Sequence, residues 1–166
     1  MTVYFDMDRV LCDFATQAKM YKVLKKNGRI NWFKVFLLGS KFWFDMDFFP
    51  FANEYFSKIR MYCIAHNVSV KILSSVRLSS GQRGKMKWCI KNLNIQERNV
   101  ILVKNARKKS FFASPTSFLI DDNEENIHRF VKNNGHGFKF VSWNDETYRH
   151  IINTINFICK EEKNDK

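Results

Sequence analysis

No apolar run in this chain of 166 residues approaches the roughly 20 residues that a membrane-spanning helix needs. The opening Met1-Thr2-Val3-Tyr4-Phe5-Asp6 lacks the basic stretch and small-residue cleavage site of a signal peptide, so a soluble, cytoplasmic protein is expected. There is no internal repeat and no low-complexity linker. Cys12, Cys63, Cys89 and Cys159 are scattered, with no close pair suited to zinc. They would suffice for a secreted framework of two disulfides, but a chain with a real core does not need one, and reduced, buried thiols are expected. His66, His128, His136 and His150 fit no ligand spacing and read as structural or surface residues.

Acidic residues are also in short supply. Sixteen face 28 basic ones, for a net charge of +12. Such an excess favours an anionic partner, whether nucleic acid, nucleotide or membrane surface, unless the lysines simply solvate the surface. No basic run decides between these; Lys25-Lys26-Asn27 and Arg107-Lys108-Lys109 are unremarkable alone.

What is present is apolar material for a core: 45% apolar residues, seventeen of them Phe, which suits one domain with a small insertion. Short apolar runs alternate with helical patterns, as in a parallel α/β sheet. The runs are Val3 to Met7, Val68 to Leu73, Asn99 to Val103, Ser117 to Ile120 and Gly137 to Val141. The spacing predicts helices over Ala52–Ala65, with Phe56, Ile59 and Cys63 inward, and over Gly84–Leu93, with Met86, Cys89, Ile90 and Leu93 inward. A third spans Asn123–Asn133, opened by a capping residue and stopped before Asn134-Gly135. The last runs from Asp145 to Cys159 with Tyr148, Ile151, Ile152, Ile155 and Cys159 inward, followed by a charged tail, Glu161 to Lys166, expected to fray. The stretch from Thr16 to Pro50 breaks the alternation and is rich in aromatics, including Trp32, Phe33, Phe36, Phe42, Trp43, Phe44, Phe48 and Phe49. It reads as a helical cap inserted over the C-terminal edge of the sheet, where open α/β sheets bind ligands. Its rings serve either as core or as a substrate clamp. The expected architecture is therefore a Rossmann-like, three-layer α/β core made of residues 1–15 and 51–166, with a cap at 16–50.

Polar clusters stand at the ends of three expected strands: Asp6 and Asp8, Ser74 and Ser75, and Asp121-Asp122. Right-handed crossovers put all such ends on one side of a sheet. Four carboxylates brought together repel unless a cation sits among them, and an all-oxygen set suits Mg²⁺. One aspartate of the first pair can then attack phosphorus while the other moves protons, with a lysine and hydroxyls neutralising the phosphoryl oxygens. Asp121-Asp122 also suits the cap of the helix that follows.

These motifs resemble those of the haloacid-dehalogenase-like superfamily. Asp6-Met7-Asp8-Arg9-Val10 is similar to its first motif, Ser74 to the hydroxyl of its second, Lys109 to the lysine of its third, with Lys108 alongside, and Leu119-Ile120-Asp121-Asp122-Asn123 to its acidic fourth. The longer stretch Asp6-Met7-Asp8-Arg9-Val10-Leu11-Cys12-Asp13-Phe14 resembles the 5′(3′)-deoxyribonucleotidase branch, where Lys85 also falls at a lysine near the second motif. The resemblance implies a Mg²⁺-dependent hydrolase of nucleoside monophosphates working through an aspartyl-phosphate. Asp6, Asp8, Ser74 and Lys109 would be catalytic, Ser75, Lys85 and Arg9 would meet substrate, and Asp6, Asp8, Asp121 and Asp122 would hold the metal. Arg9 stands where those relatives keep glycine, and either points outward or meets a substrate phosphate. Two alternatives are a phosphatase of nucleic-acid ends, suggested by the charge, and a non-catalytic binding module on the same fold.

Overall fold

A computed structural model describes residues 1–164. Five strands form one wholly parallel sheet in the order β3-β2-β1-β4-β5, with β1 at Thr2–Phe5, β2 at Ser69–Ser75, β3 at Val100–Val103, β4 at Ser117–Asp121 and β5 at His136–Lys139. The helices are α1 (Phe14–Met20), α2 (Trp32–Leu38), α3 (Lys41–Phe44), α4 (Ala52–Ala65), α5 (Ser79–Leu93), α6 (Glu124–Lys132) and α7 (Asp145–Asn164). Two 3-10 turns of helix, Glu97–Asn99 and Ala106–Phe112, flank β3. None of the described helices is long and apolar enough to cross a membrane.

Side chains alternate between two layers, as the two-residue period of a strand requires. Val3, Phe5, Ile72, Phe118 and Ile120 join Phe56 and Ile59 of α4, Trp88 and Cys89 of α5, and Ile151 and Ile155 of α7 in the main core. Tyr4, Leu73, Val103 and Leu119 face the other way, onto Phe130 of α6 and Phe112 of the second 3-10 helix. Both faces are covered, so β4 is buried at all five positions. This is a three-layer, Rossmann-like α/β arrangement.

The differences from expectation have local causes. β1 ends at Phe5, two residues early, because the carbonyl of Met7 accepts from the amides of Leu11 (2.9 Å) and Cys12 (3.0 Å) and turns the chain. β5 lies at His136–Lys139 rather than Gly137–Val141; beyond it, Phe140 N still donates to Asp121 O, while Val141 is exposed. Ser74 and Ser75 are the last two residues of β2, paired with Leu102 and Val103, rather than its sequel. Along α5, Ile90 is exposed rather than inward. The last helix runs on to Asn164, past the expected end at Cys159, and Glu162 reaches the Met1 amino group at 3.2 Å. Asp165 and Lys166 lie outside the described residues. All four cysteines are free, three buried and Cys159 half-buried.

The start of α5 is the most instructive difference: it forms five residues before the expected Gly84. Glycine within a helix costs about 0.5–1 kcal/mol, which makes the Gly81–Gly84 stretch look unhelical. Here the missing side chains are what the packing needs. A Cβ at Gly84 would lie 2.5 Å from Ser40 O and 2.5 Å from Trp43 Cβ, so α3 rests directly on the α5 backbone. Trp43 in turn packs with Phe14 and Phe42, and all three belong to the same core as the sheet. Gly84→Ala is expected to push the α3 segment off α5 at a cost of about 1–3 kcal/mol. Thermal unfolding should register this as a fall of several degrees, and an unchanged midpoint would contradict the close contact.

Candidate functional site

With this strand order, the chain moves from β1 outward to β2 and β3, then crosses back to β4 on the other side of β1. The crevice at the carboxyl ends of β1 and β4 is the switch point where open sheets of this kind take ligands. Asp6 follows β1 directly, tied to the neighbouring strand by its amide, which donates to Ile120 O at 2.9 Å. Asp121 closes β4 and Asp122 follows it. One carboxylate oxygen from each of Asp6, Asp121 and Asp122 lies within 4.8 Å of the others.

Lys109 enters this group from the 3-10 helix Ala106–Phe112. Its Nζ lies 2.7 Å from Asp121 Oδ2 and 2.9 Å from Asp6 Oδ1, with the side chain 1% exposed. Lys108 is exposed, so the helix turns Lys109, not its neighbour, into the cluster. Asp121 is clamped further: Asn126 Nδ2 donates to both of its oxygens (3.2 and 3.0 Å), and Asn123 N donates to Oδ1 at 2.8 Å. The cap of α6 is Asn123 itself, whose side chain accepts from the amides of Glu125 and Asn126. Asp122 is therefore left to the crevice, while Asp121 is fixed just behind it.

Asp8 goes elsewhere. Its Oδ2 accepts from Lys85 Nζ at 2.7 Å, and it is not one of the three gathered carboxylates. Lys85 is fully buried on α5. Its remaining protons go to Ser74 Oγ and Ser75 O, both at 3.0 Å, and its ammonium lies 5.0 Å from the centre of the Trp43 ring. With three donors and three acceptors, Lys85 is spent inside the protein. It stands behind Asp8 and Ser74 rather than on the crevice wall where a substrate contact was expected.

The crevice itself is a cavity of about 240 Å³ walled by Asp6, Asp8, Arg9, Ser75 and Asp122, with Phe14, Trp32 and Trp43 among the rings. Of the expected residues, Asp121, Ser74, Lys85 and Lys109 sit behind this wall. Arg9 has φ +62, the left-handed region in which glycine is unstrained, and its guanidinium stands 3.8 Å from Asp122 Oδ2, largely in solvent. The aromatic stretch divides. Phe42 and Trp43 are core, Trp32 is half-buried on the cavity wall, and Phe33 and Phe36 point outward. Two residues were not foreseen. Arg77 lines the cavity just past the end of β2, its guanidinium 5.0 Å over the Trp32 ring. Asn126 lies one turn into α6, its amide on Asp121. A cation two residues after Ser75 was the available signal for Arg77; for Asn126 only the i+5 spacing from Asp121 existed. The histidines stay out of the cavity lining; His66 stacks on Tyr62 and His136 Nε2 pairs with Pro115 O.

Charge in the cluster is unbalanced. Burial pushes the Asp6 carboxyl up, but Lys109, Lys85 and the Met7 amide together outweigh it, and Asp6 ends below its ordinary value. Asp121 is pushed up to about 6, first by burial and then by the charge of Asp6 beside it. Asp122 is also raised, by burial and by Asp6, against weaker relief from Arg9. Lys109 thus satisfies one carboxylate and a share of a second, and Asp122 has only a solvent-screened partner. Asp6 Oδ1 is buried and close to Lys109 without an aligned hydrogen bond. A hard divalent cation fits such a set: all-oxygen donors, surplus negative charge and one face open to the cavity. No protein-family model matches the chain, and no curated protein matches it either.

Proposed function

We propose that this protein is a Mg²⁺-dependent phosphomonoester hydrolase of the haloacid-dehalogenase-like kind, acting on nucleotides with Asp6 as nucleophile. The observation that carries the reading is the trio Asp6, Asp121 and Asp122, gathered at the switch point around buried Lys109. The residues follow the motifs of that superfamily in order. The left-handed backbone at Arg9 explains why relatives keep glycine there. The aromatic segment 16–50 is the natural cap, with Trp32 as the ring placed to meet a base. The four free thiols are in keeping with a reducing, cytoplasmic setting.

Asp6, Asp121 and Asp122 would hold Mg²⁺, which would supply electrostatic neutralisation of the phosphoryl group. The carboxylate of Asp6 attacks phosphorus, forming a P–O bond to the side chain while the bond to the ester oxygen breaks. Asp8, oriented by Lys85 at 2.7 Å, is the group on the cavity wall that relays a proton to the leaving oxygen. Asp8 then takes a proton from water as that water attacks the same phosphorus, releasing phosphate and restoring Asp6. Lys109 holds Asp6 ionised and in place, and Arg9 and Arg77 stand on the cavity wall where they can meet phosphoryl oxygens.

The test is phosphate release from a panel of 5′- and 3′-nucleotides. Turnover is expected with Mg²⁺ and should fall to background when a chelator removes it. Hydrolysis undiminished by chelation would refute the metal requirement, and no hydrolysis of any nucleotide would refute the function.

A further inference from the structure

A second cavity adjoins the first. At about 640 Å³ it is the larger, and the two share Arg9, Phe14 and Trp32 as common wall. The first, at about 240 Å³, is below the roughly 300–1,000 Å³ of ordinary ligand pockets, so whatever is esterified to the reacting phosphate must extend beyond it. The second cavity is where it would go. Lys19, Lys25 and Arg29 line it together with Arg9, and no carboxylate does. An uncharged nucleoside needs rings and hydrogen-bonding groups, not four cations. A leaving group that itself carries phosphates needs both, and the wall provides both, because Trp32 stands between the cavities under the Arg77 guanidinium at 5.0 Å. A stacking ring beside a cationic track is how single strands are held without regard to sequence.

Resting on the phosphohydrolase reading above, we propose that the preferred substrate is the phosphorylated end of a single-stranded nucleic acid. The terminal phosphate lies at Asp6, the terminal base against Trp32, and the next internucleotide phosphates along Lys19, Lys25 and Arg29. The net charge of +12 then has a local purpose as well as a general one.

The test compares kcat/KM for three substrates of the intact protein: a mononucleotide, a nucleoside 3′,5′-bisphosphate and a 5′-phosphorylated tetranucleotide. At low salt the tetranucleotide is expected to exceed the mononucleotide by about tenfold or more, with the advantage fading as salt rises. Combining Lys19→Ala, Lys25→Ala and Arg29→Ala, all at exposed positions, should collapse that ratio and flatten the salt dependence of tetranucleotide binding by about two units of slope, at roughly 0.7 per lost phosphate contact. Arginine at Lys19 and Lys25 should keep the ratio. Equal use of mononucleotide and tetranucleotide by the wild type, or an unchanged ratio in the triple variant, would overturn the proposal while leaving the phosphohydrolase reading intact. A bisphosphate as good as the tetranucleotide would overturn it too, since one extra phosphate would then suffice. If none of the three is hydrolysed, the parent reading fails and this one with it.

Discussion

Asp6→Asn is expected to lower kcat by about 10⁴-fold or more, because it removes the attacking oxygen's charge while leaving its shape. The loss should be one of chemistry rather than folding. Asp6 is only one of the two carboxylates that Lys109 touches, and the Lys109–Asp121 pair at 2.7 Å survives the change. The variant also relieves the charge that pushes Asp121 and Asp122 up, which offsets part of the lost attraction. Far-UV circular dichroism should therefore match the wild type, with a melting midpoint within a few degrees. Acid-quenched turnover analysed by mass spectrometry supplies the second readout: phosphate on the peptide that contains Asp6 in the wild type, and none in the variant. Turnover by Asp6→Asn comparable to wild type would remove Asp6 from the nucleophile's role whatever the substrate.

The second large effect is on stability. Lys109→Met keeps the buried stem but deletes the buried ammonium that pairs with both Asp6 and Asp121. Leaving buried charge without its partner typically costs about 3–5 kcal/mol. For a chain of this size that is a fall of roughly 10 °C in the melting midpoint. The loss should depend on pH. Asp121 is already raised from 3.8 to about 6, so in the folded state it holds its proton more tightly than in the unfolded chain. A raised acid favours the fold below its unfolded pKa, and that contribution is lost as pH rises through the window from 3.8 to about 6. Without Lys109 the window widens upward, so the variant should recover stability on going from pH 8 to pH 5. In the wild type Asp6 is lowered and contributes in the opposite sense, only below 3.8; in the variant it loses Lys109, the first cause of that lowering, and burial turns it to the same sense as Asp121. Added Mg²⁺ at pH 8 should also recover part of the loss, by replacing one cation with another. A midpoint shift of under 2 °C at pH 8, against the expected fall of roughly 10 °C, would mean that the Asp6–Lys109–Asp121 group is not the tight cluster its distances describe.

Much of this was legible in the chain because parallel sheets write their strands as uninterrupted apolar runs. The helix Ala52–Ala65 was readable to the residue for a similar reason, its inward positions falling at spacings of three and four. What could not be read was the direction of side chains leaving a turn. Asp6 and Asp8 are two residues apart, yet one faces the β4 carboxylates and the other faces Lys85 of α5, because the backbone turns at Met7 between them. Of the four carboxylates expected to gather, three do, and Asp8 stands apart. Lys85 was placed near the site by its spacing, but its burial under Trp43 depends on Gly81 and Gly84 admitting α3, a contact between segments that no local pattern records. Arg77 and Asn126 were missed for the same cause.

The register of β1 has a kinetic corollary. Thr2 pairs with Ser69 on one side and Ser117 on the other, so the central strand finds neither neighbour nearby in the chain. Sheets closed by such distant pairings fold slowly, since the entropy of the long loops is lost before the contacts return it. Asp6 rides on β1, and Asp121 and Asp122 ride on β4, the later of its two partners to appear along the chain. The three carboxylates therefore meet only when β4 docks beside β1. Their mutual repulsion is thus absent from any partly folded chain in which that pairing has yet to form.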